Sequence, residues 1–369
     1  MKTDETPAAA ESGGATAVSD GSPRTIRRLE PRALAQPAVA LVLILFVLLV
    51  LPSLFSTYYI DASTQVAIYA IVALGLGLLV GRVGLVSLGQ AAVLAIGAWV
   101  AARILFASSM PFPLVLLASG LITMVLGTLV GLPALRLSGL YLALITLMLA
   151  GAITVVLATT NFPNGGHGFL GYNGSTVHIP PIRRPSIAQG ETSYFRYSVI
   201  VAVLMFLLVW AHIRSRPGRA WAAIRQSEAA ALAGGINTTL YKLWAFALAS
   251  FVTGVAGGLL AGGLHFLYSI DFQTQDSITL LAVVLMGGAY SMWGAVVAGI
   301  LQQFLPALFT NWGISPDWLT ILFGVGVLQV LTTAPRGIVD QFPKDMARLG
   351  RFIGRLFKGR SSAPAGGEP

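Results

Sequence analysis

The residues of this chain that could do chemistry fall into two sets, and neither is arranged to make or break bonds. The first is a polar island, Arg214 to Lys242, reading RSRPGRAWAAIRQSEAAALAGGINTTLYK between two long apolar stretches. It puts Arg219, Arg225 and Glu228 on a segment rich in helix formers, which suits contact with another macromolecule. The second set is uncharged and lies within or beside apolar runs: Ser87, Gln90, Thr146, Ser250, Thr253, Gln302 and Gln303. Groups of this kind either line a polar route or bond helix to helix, at about 0.6 kcal/mol each in a bilayer. Ser87 and Gln90 are the side chains expected to line a route, with Thr146 and Gln302 after them.

Several chemistries are missing. There is no cysteine, which excludes disulfides, thiol catalysis and thiolate metal sites. His167, His178, His212 and His265 are scattered, without ligand spacing, so no metal site is expected. No Gly-Lys dipeptide occurs, so the chain has no GxxxxGK[ST] phosphate loop and does not itself hydrolyse ATP by that chemistry. No paired acids or Ser/His/Asp grouping stands at plausible depth. An enzyme is not expected, and neither is a cofactor.

The elements that carry these residues are membrane helices. The composition is 56% hydrophobic and 10% charged, against about 25% charged in a soluble domain. A spanning helix needs about 17–25 apolar residues. About ten such runs occur, near 38–55, 63–80, 88–106, 112–133, 140–158, 195–213, 243–265, 277–290, 294–310 and 318–334. The fold class is thus all-α and polytopic, with eight spans as the alternative. The eighth and ninth runs are short and separated by GGAYSMWG, which suggests half-spans or a re-entrant pair. Residues 1–36 read as a disordered tail. Residues 37–335 form the transmembrane domain, with the loop 214–242 inside it, and 336–369 form a basic tail.

The net charge of +9 is explained by basic cytoplasmic loops, not by nucleic acid. Ten spans put both termini inside, together with Arg82, Arg136, the arginines of the 214–242 loop and the C-terminal bases. Asp61, Glu191, Asp271, Asp276 and Asp317 then fall outside. The tail sequence MARLGRFIGRLFKGR has helical amphipathic spacing that suits an anionic lipid leaflet or plain solvent. No Asp or Glu lies inside an expected span, which argues against a proton relay. Gly254, Gly258 and Gly262, like Gly77 and Gly81, recur at every fourth residue and imply close helix packing. GRVGLVSLG (81–89) and MGGAYSMWG (286–294) read as helix breaks on one side of the membrane, a hint of an internal repeat.

Within the polar island, Pro217-Gly218 opens a short helix, Arg219 to Ala233, and Gly234-Gly235 closes it. Trp221, Ile224, Ala231 and Leu232 make one apolar stripe, while Arg225, Gln226 and Glu228 point away from it. Gly234 is expected to hold a backbone conformation that a β-branched residue resists. The spacing alone leaves docking to a partner and lying on the bilayer equally open.

The spelling of the loop adds a resemblance. Glu228-Ala229-Ala230, three residues, then Gly234 resembles the EAAxxxG loop of ABC importer permeases. GLVSLGQAAVLAIGAWVAA (84–102), RLSGLYLALITLMLA (136–150), TNFPNGGHGFLG (160–171), GRAWAAIRQSEAAALAGGIN (218–237) and VVLMGGAYSMWGAVVAG (283–299) are similar to the branched-chain amino acid permeases of the LivM type. The resemblance covers about residues 40–335. It implies a permease of the bacterial inner membrane, in a heterodimer with a homologous permease, two ATP-binding subunits and an extracytoplasmic binding protein. Arg219, Ala223, Arg225, Glu228, Ala229, Ala230, Gly234 and Gly235 would form the ATPase-coupling loop, with Glu228 meeting a base of the ATPase. Gln90 stands where the family commonly has His, Ala295 where it has Pro, and Gly287-Gly288-Ala289-Tyr290-Ser291 where it has GGxGS. These departures keep urea and other small amino or aromatic carboxylate solutes open beside branched-chain amino acids. A passive small-solute channel is the alternative from another class.

Overall fold

The structure is a computed structural model that describes residues 42–134, 139–159, 185–264, 267, 269–315, 317–333, 337–339 and 341. The expected N-terminal tail, the 160–171 motif and most of the basic C-terminal tail lie outside these residues. The chain divides into two compact units, Met1–Leu49 and Val50–Pro369. In the first, residues 42–49 are helical; apart from that helix, everything below concerns the second.

The second unit is built on a bundle of helices. α1 runs Thr57–Val83, its last turns π-helical over Leu78–Val83. Then come α2 (Gln90–Ala107), α3 (Phe112–Ala134), α4 (Leu140–Thr159) and α5 (Glu191–Arg214). Two short helices, α6 (Arg216–Gln226) and α7 (Glu228–Ala233), fill the polar island. α8 (Thr238–Gly263), α9 (Thr274–Gly287), α10 (Met292–Asn311, with a π-helical stretch Ile300–Phe304) and α11 (Asp317–Thr333) complete it. Among the described residues 6 helices are long and apolar enough to cross a membrane. Shorter apolar helices occupy the remaining expected runs, at Val42–Leu54, Tyr141–Leu157, Thr274–Gly287 and Asp317–Val330. The eighth run is a short helix of 14 residues, as expected. The ninth is not short: its π-helical stretch joins two helical pieces into one of 20 residues.

α8 is the axis of the bundle, packed against α3, α2 and α1. Its glycines explain the close approach. A Cβ on Gly254 would lie 2.6 Å from Thr123 Cβ, and one on Gly257 would lie 2.5 Å from the Leu94 carbonyl oxygen. Small faces of this kind are what let helices associate where no water drives them together. Ser119 ties the seam by donating to the carbonyls of Gly97 and Gly254, each at 2.8 Å.

The outward faces are mostly apolar. Leu121, Val125 and Leu129 on α3 and Ile321, Val325 and Leu328 on α11 are all exposed. A patch of this extent is untenable in water and natural in hydrocarbon. The chain is an all-α, multi-pass membrane protein.

Candidate functional site

The first break starts where α1 ends. Gly84 has φ +84°, and the amides of Gly84 and Leu85 both donate to the Leu79 carbonyl at 2.9 Å. Glycine is required there, since this left-handed conformation is costly for other residues. The chain then folds back, non-helical, through 85–89, and α2 begins inside the bundle. Gln90 is level with Gly75, which is about 9 Å along α1 from Gly81 at 1.5 Å per residue. A Cβ on Gly75 would lie 3.1 Å from Gln90 Nε2 and 2.8 Å from Thr253 Oγ1, so the three pack together.

Irregular backbone at this depth needs partners of its own. The Leu88 amide donates to Thr146 Oγ1 at 2.9 Å, and the Ala91 amide donates to Ser277 Oγ at 3.2 Å. Gln90 Nε2 donates to Thr253 Oγ1. Ser87, Gln90, Thr146, Thr253 and Ser277 are all buried. They form one polar node where the N-terminal ends of α2 and α9 meet. α9 itself is about 21 Å long at 1.5 Å per residue, too short to cross a bilayer upright.

The second break, between α9 and α10, touches the first. Gly288 has φ +111° and Ser291 is extended before α10. A Cβ on Gly81 would fall 1.9 Å from the Ala289 carbonyl oxygen, so the two backbones are in direct contact. Gly337 (φ +88°) closes on the same place, its own Cβ position 2.2 Å from Gly288 Cα.

The polar island grips both breaks. Arg225, the last basic residue of α6, donates from Nη1 to the Gly81 carbonyl at 2.7 Å. Its guanidinium carbon lies 4.3 Å from the centre of the Tyr290 ring, a cation–π contact. One side chain therefore joins the loop to the end of α1 and to the α9–α10 turn. α6 is anchored below by Trp221, fully buried, whose indole donates to the Tyr241 carbonyl at 2.8 Å. Ala220 and Ile224 are buried beside it.

The loop helix is broken in two. Ser227 is extended (φ −161°, ψ +117°), and its hydroxyl caps α7 by accepting from the Ala230 amide at 3.2 Å. The break rotates α7, so Ala231 stays buried with Trp221 and Ile224 while Leu232 is exposed. The expected single stripe fails at that residue, and Arg225 turns back to the bundle instead of away from it. α7 ends in a Schellman-type closure, Ile236 N to Ala231 O at 3.0 Å and Gly235 N to Leu232 O at 2.9 Å. The left-handed residue is Gly235 (φ +78°), not Gly234 (φ −78°). Glu228 pairs with Lys242 of this same chain, Nζ to Oε1 at 2.6 Å. Lys242 is buried, and Glu228 remains about half exposed. Ala229, Ala230, Leu232, Ala233 and Gly234 form an exposed, nearly uncharged knob.

A family described as "Branched-chain amino acid transport system / permease component" matches residues 58–331. The chain belongs to that family. Among curated proteins it is 27% identical over 306 residues to the high-affinity branched-chain amino acid transport system permease protein LivM of Salmonella typhimurium, covering 78% of this chain and 71% of that protein. It is 27% identical over 317 residues to LivM of Escherichia coli, covering 81% and 74%. A ribose import permease protein, RbsC of Bacillus subtilis, is 29% identical over 35% of this chain and 42% of its own length. No solved structure matches.

In this permease the expected route residues divide. Ser87, Gln90 and Thr146 come together at the α2 start. Gln302 is on the π-helical stretch of α10, its Oε1 buried without a hydrogen-bond partner among the described residues. Of the loop residues, Arg219 is exposed, Ala223 is half-buried and Arg225 makes the contacts above. Ser277 and Lys242 were not singled out for these roles from sequence, and neither was the pairing of Arg225 with Gly81 and Tyr290. The departure at Tyr290 was the one available signal, since an aromatic ring there is what a guanidinium stacks on. Among the described residues no group of three His, Asp or Glu stands close enough to hold a metal.

Proposed function

We propose that this permease is the membrane-spanning subunit of an ABC importer for branched-chain amino acids, driven by separate ATPase subunits. The observation that carries the reading is the α6–α7 elbow. One side of it grips both helix breaks through Arg225, and the other presents the exposed knob Ala229–Gly234. A knob of small residues fits a groove on a partner, and a rigid elbow passes that partner's movement to the breaks. The partners are two ATP-binding subunits at the knob, a second homologous permease and an extracytoplasmic binding protein that supplies most of the selectivity. The solute route runs past the α2 start, where Ser87, Gln90 and Thr146 become accessible when the breaks open, with Gln302 on the facing side. Such half-helix starts offer amide dipoles to a carboxylate at depth. Transport is the whole of the chain's task, and it performs no catalysis.

The elbow, both breaks and the C-terminal segment share one end of the bundle, and the bases Arg82, Arg214, Arg216, Arg219 and Arg225 cluster there. This end is cytoplasmic by the positive-inside rule, in the bacterial inner membrane, with both termini inside. In this reading an N-terminal tail (1–36) and a basic C-terminal tail (336–369) flank the membrane domain (37–335) on the cytoplasmic side. A single cysteine at Ser215, in a chain with none of its own, should react with an impermeant thiol reagent only in inverted vesicles; labelling in intact cells contradicts the orientation.

The docking face is tested by co-purification with the ATPase subunits of the same importer. Ala230→Arg should insert normally and lose the ATPases. Retention at the wild-type ratio would overturn the assignment of this face.

A further inference from the structure

Beside the first break lies a cationic hollow with no acidic residue among its described lining. A cavity of about 570 Å³ opens between the ends of α1 and α5 and the side of α6, lined by Arg82, Arg219 and Arg225 with Gly81, Ile213 and Trp221. Among the described residues none of the three guanidiniums is ion-paired. The acid of the loop, Glu228, is held by Lys242. Arg82 and Arg225 are like charges in the same lining. Arg225 spends one donor on Gly81 and keeps others free, since a guanidinium carries five N–H groups. Three such forks line this one hollow, and arginine binds phosphate through paired hydrogen bonds.

The surroundings place the cavity at headgroup depth. Ile213 is flanked on α5 by Trp210, over which the Arg214 guanidinium sits at 4.3 Å, and by His212, whose ring is tilted 35° to that of Trp244 with centroids 6.0 Å apart. Trp210 and Trp244 are exposed on the outside of the bundle. Amphipathic aromatics beside bases at helix ends mark the membrane–water boundary. The lining also discriminates by charge. An amino acid would bring an ammonium as well as a carboxylate, and the lining offers no carboxylate to receive it. The occupant is a pure anion.

We propose that this cavity is a binding site for the phosphate of an acidic phospholipid of the inner leaflet. The site rests on membrane insertion and on the cytoplasmic orientation proposed above, and it is independent of which solute is carried. It also bears on transport, because the same Arg225 that faces the phosphate holds the two breaks.

The test uses the full chain in nanodiscs of phosphatidylcholine with increasing phosphatidylglycerol, reading thermal unfolding. The wild type should be stabilised as the acidic lipid rises. In the double variant Arg82→Gln/Arg219→Gln the half-saturating fraction of acidic lipid should rise about fivefold for each base removed. Arg82→Lys/Arg219→Lys should recover most of the response. The C-terminal bases are present in all three proteins, so their contribution cancels. If the Gln variant unfolds prematurely in phosphatidylcholine, native mass spectrometry of retained lipid on the Lys variant and the wild type gives the same comparison. An identical lipid response in wild type and Gln variant overturns the site. Arginine-dependent stabilisation by inorganic phosphate in pure phosphatidylcholine, with no response to phosphatidylglycerol, overturns the lipid as occupant.

Discussion

Replacing Arg225 by methionine keeps the apolar stem that lies against Gly84 and removes the guanidinium that grips the breaks. Two contacts are lost. A hydrogen bond from a charged donor contributes about 1.5–3 kcal/mol. A cation–π contact contributes about 0.5–1 kcal/mol at an exposed site. Arg225 keeps an exposed flank, so the low end of both ranges applies, about 2 kcal/mol together. An interaction biases a conformational equilibrium by no more than its own differential energy. The loss therefore weakens coupling of the elbow to the breaks by at most about 30-fold, at 1.4 kcal/mol per decade. The assay is leucine uptake and ATP hydrolysis measured in the same proteoliposomes, with partner subunits and binding protein present. Arg225→Met should retain the ATPases and their basal hydrolysis, while solute moved per ATP falls about 10- to 30-fold. Arg225→Lys should be intermediate, because an ammonium keeps the ring contact and loses the directed fork. Misfolding would lower uptake and hydrolysis together and leave their ratio alone. An unchanged ratio in Arg225→Met would falsify the idea that this side chain transmits the movement.

Three further outcomes separate neighbouring residues. Gly81→Ala should cost about 3 kcal/mol or more by overpacking, because its Cβ meets the Ala289 carbonyl at 1.9 Å, whereas Gly77→Ala meets it at 3.5 Å and should be tolerated; thermal unfolding in detergent reads the difference. Gly235→Val should destabilise the end of α7 by at least about 1–2 kcal/mol, since only Gly235 is left-handed, and should lower ATPase co-purification, while Gly234→Ala leaves both near wild type. Gln90→Leu and Thr253→Val each remove the same buried hydrogen bond, so both should lose about 0.6 kcal/mol of stability; only Gln90→Leu should also reduce uptake, and equal uptake in the two leaves Gln90 a packing residue.

The bundle was legible in the amino-acid order because membrane helices announce themselves by length and hydropathy. Even the short α9 was visible, since a helix of 14 residues ending at Gly287 cannot cross upright. The polar node was half legible. Ser87, Gln90, Thr146 and Thr253 stood out as polar groups in apolar runs, but their meeting depends on where α2 starts, which the left-handed turn at Gly84 sets. The elbow was misread at one residue. A helix-forming run from Arg219 to Ala233 gives no local reason to stop at Ser227, yet the serine caps a second helix better than it continues the first. That half-turn exposes Leu232 and moves the strained position to Gly235. The grip of Arg225 was not legible, because Gly81 and Tyr290 are far from it in sequence and are joined only by the packing of the two breaks.

The most direct measurement is uptake of radiolabelled leucine into proteoliposomes holding this permease, its homologous partner and the two ATPase subunits, with the binding protein added outside. Uptake should require internal ATP and the binding protein, and it should vanish when the ATPase subunits are left out. Leucine entry at the same rate without ATP or without the ATPase subunits would mean a passive channel and would contradict an importer permease.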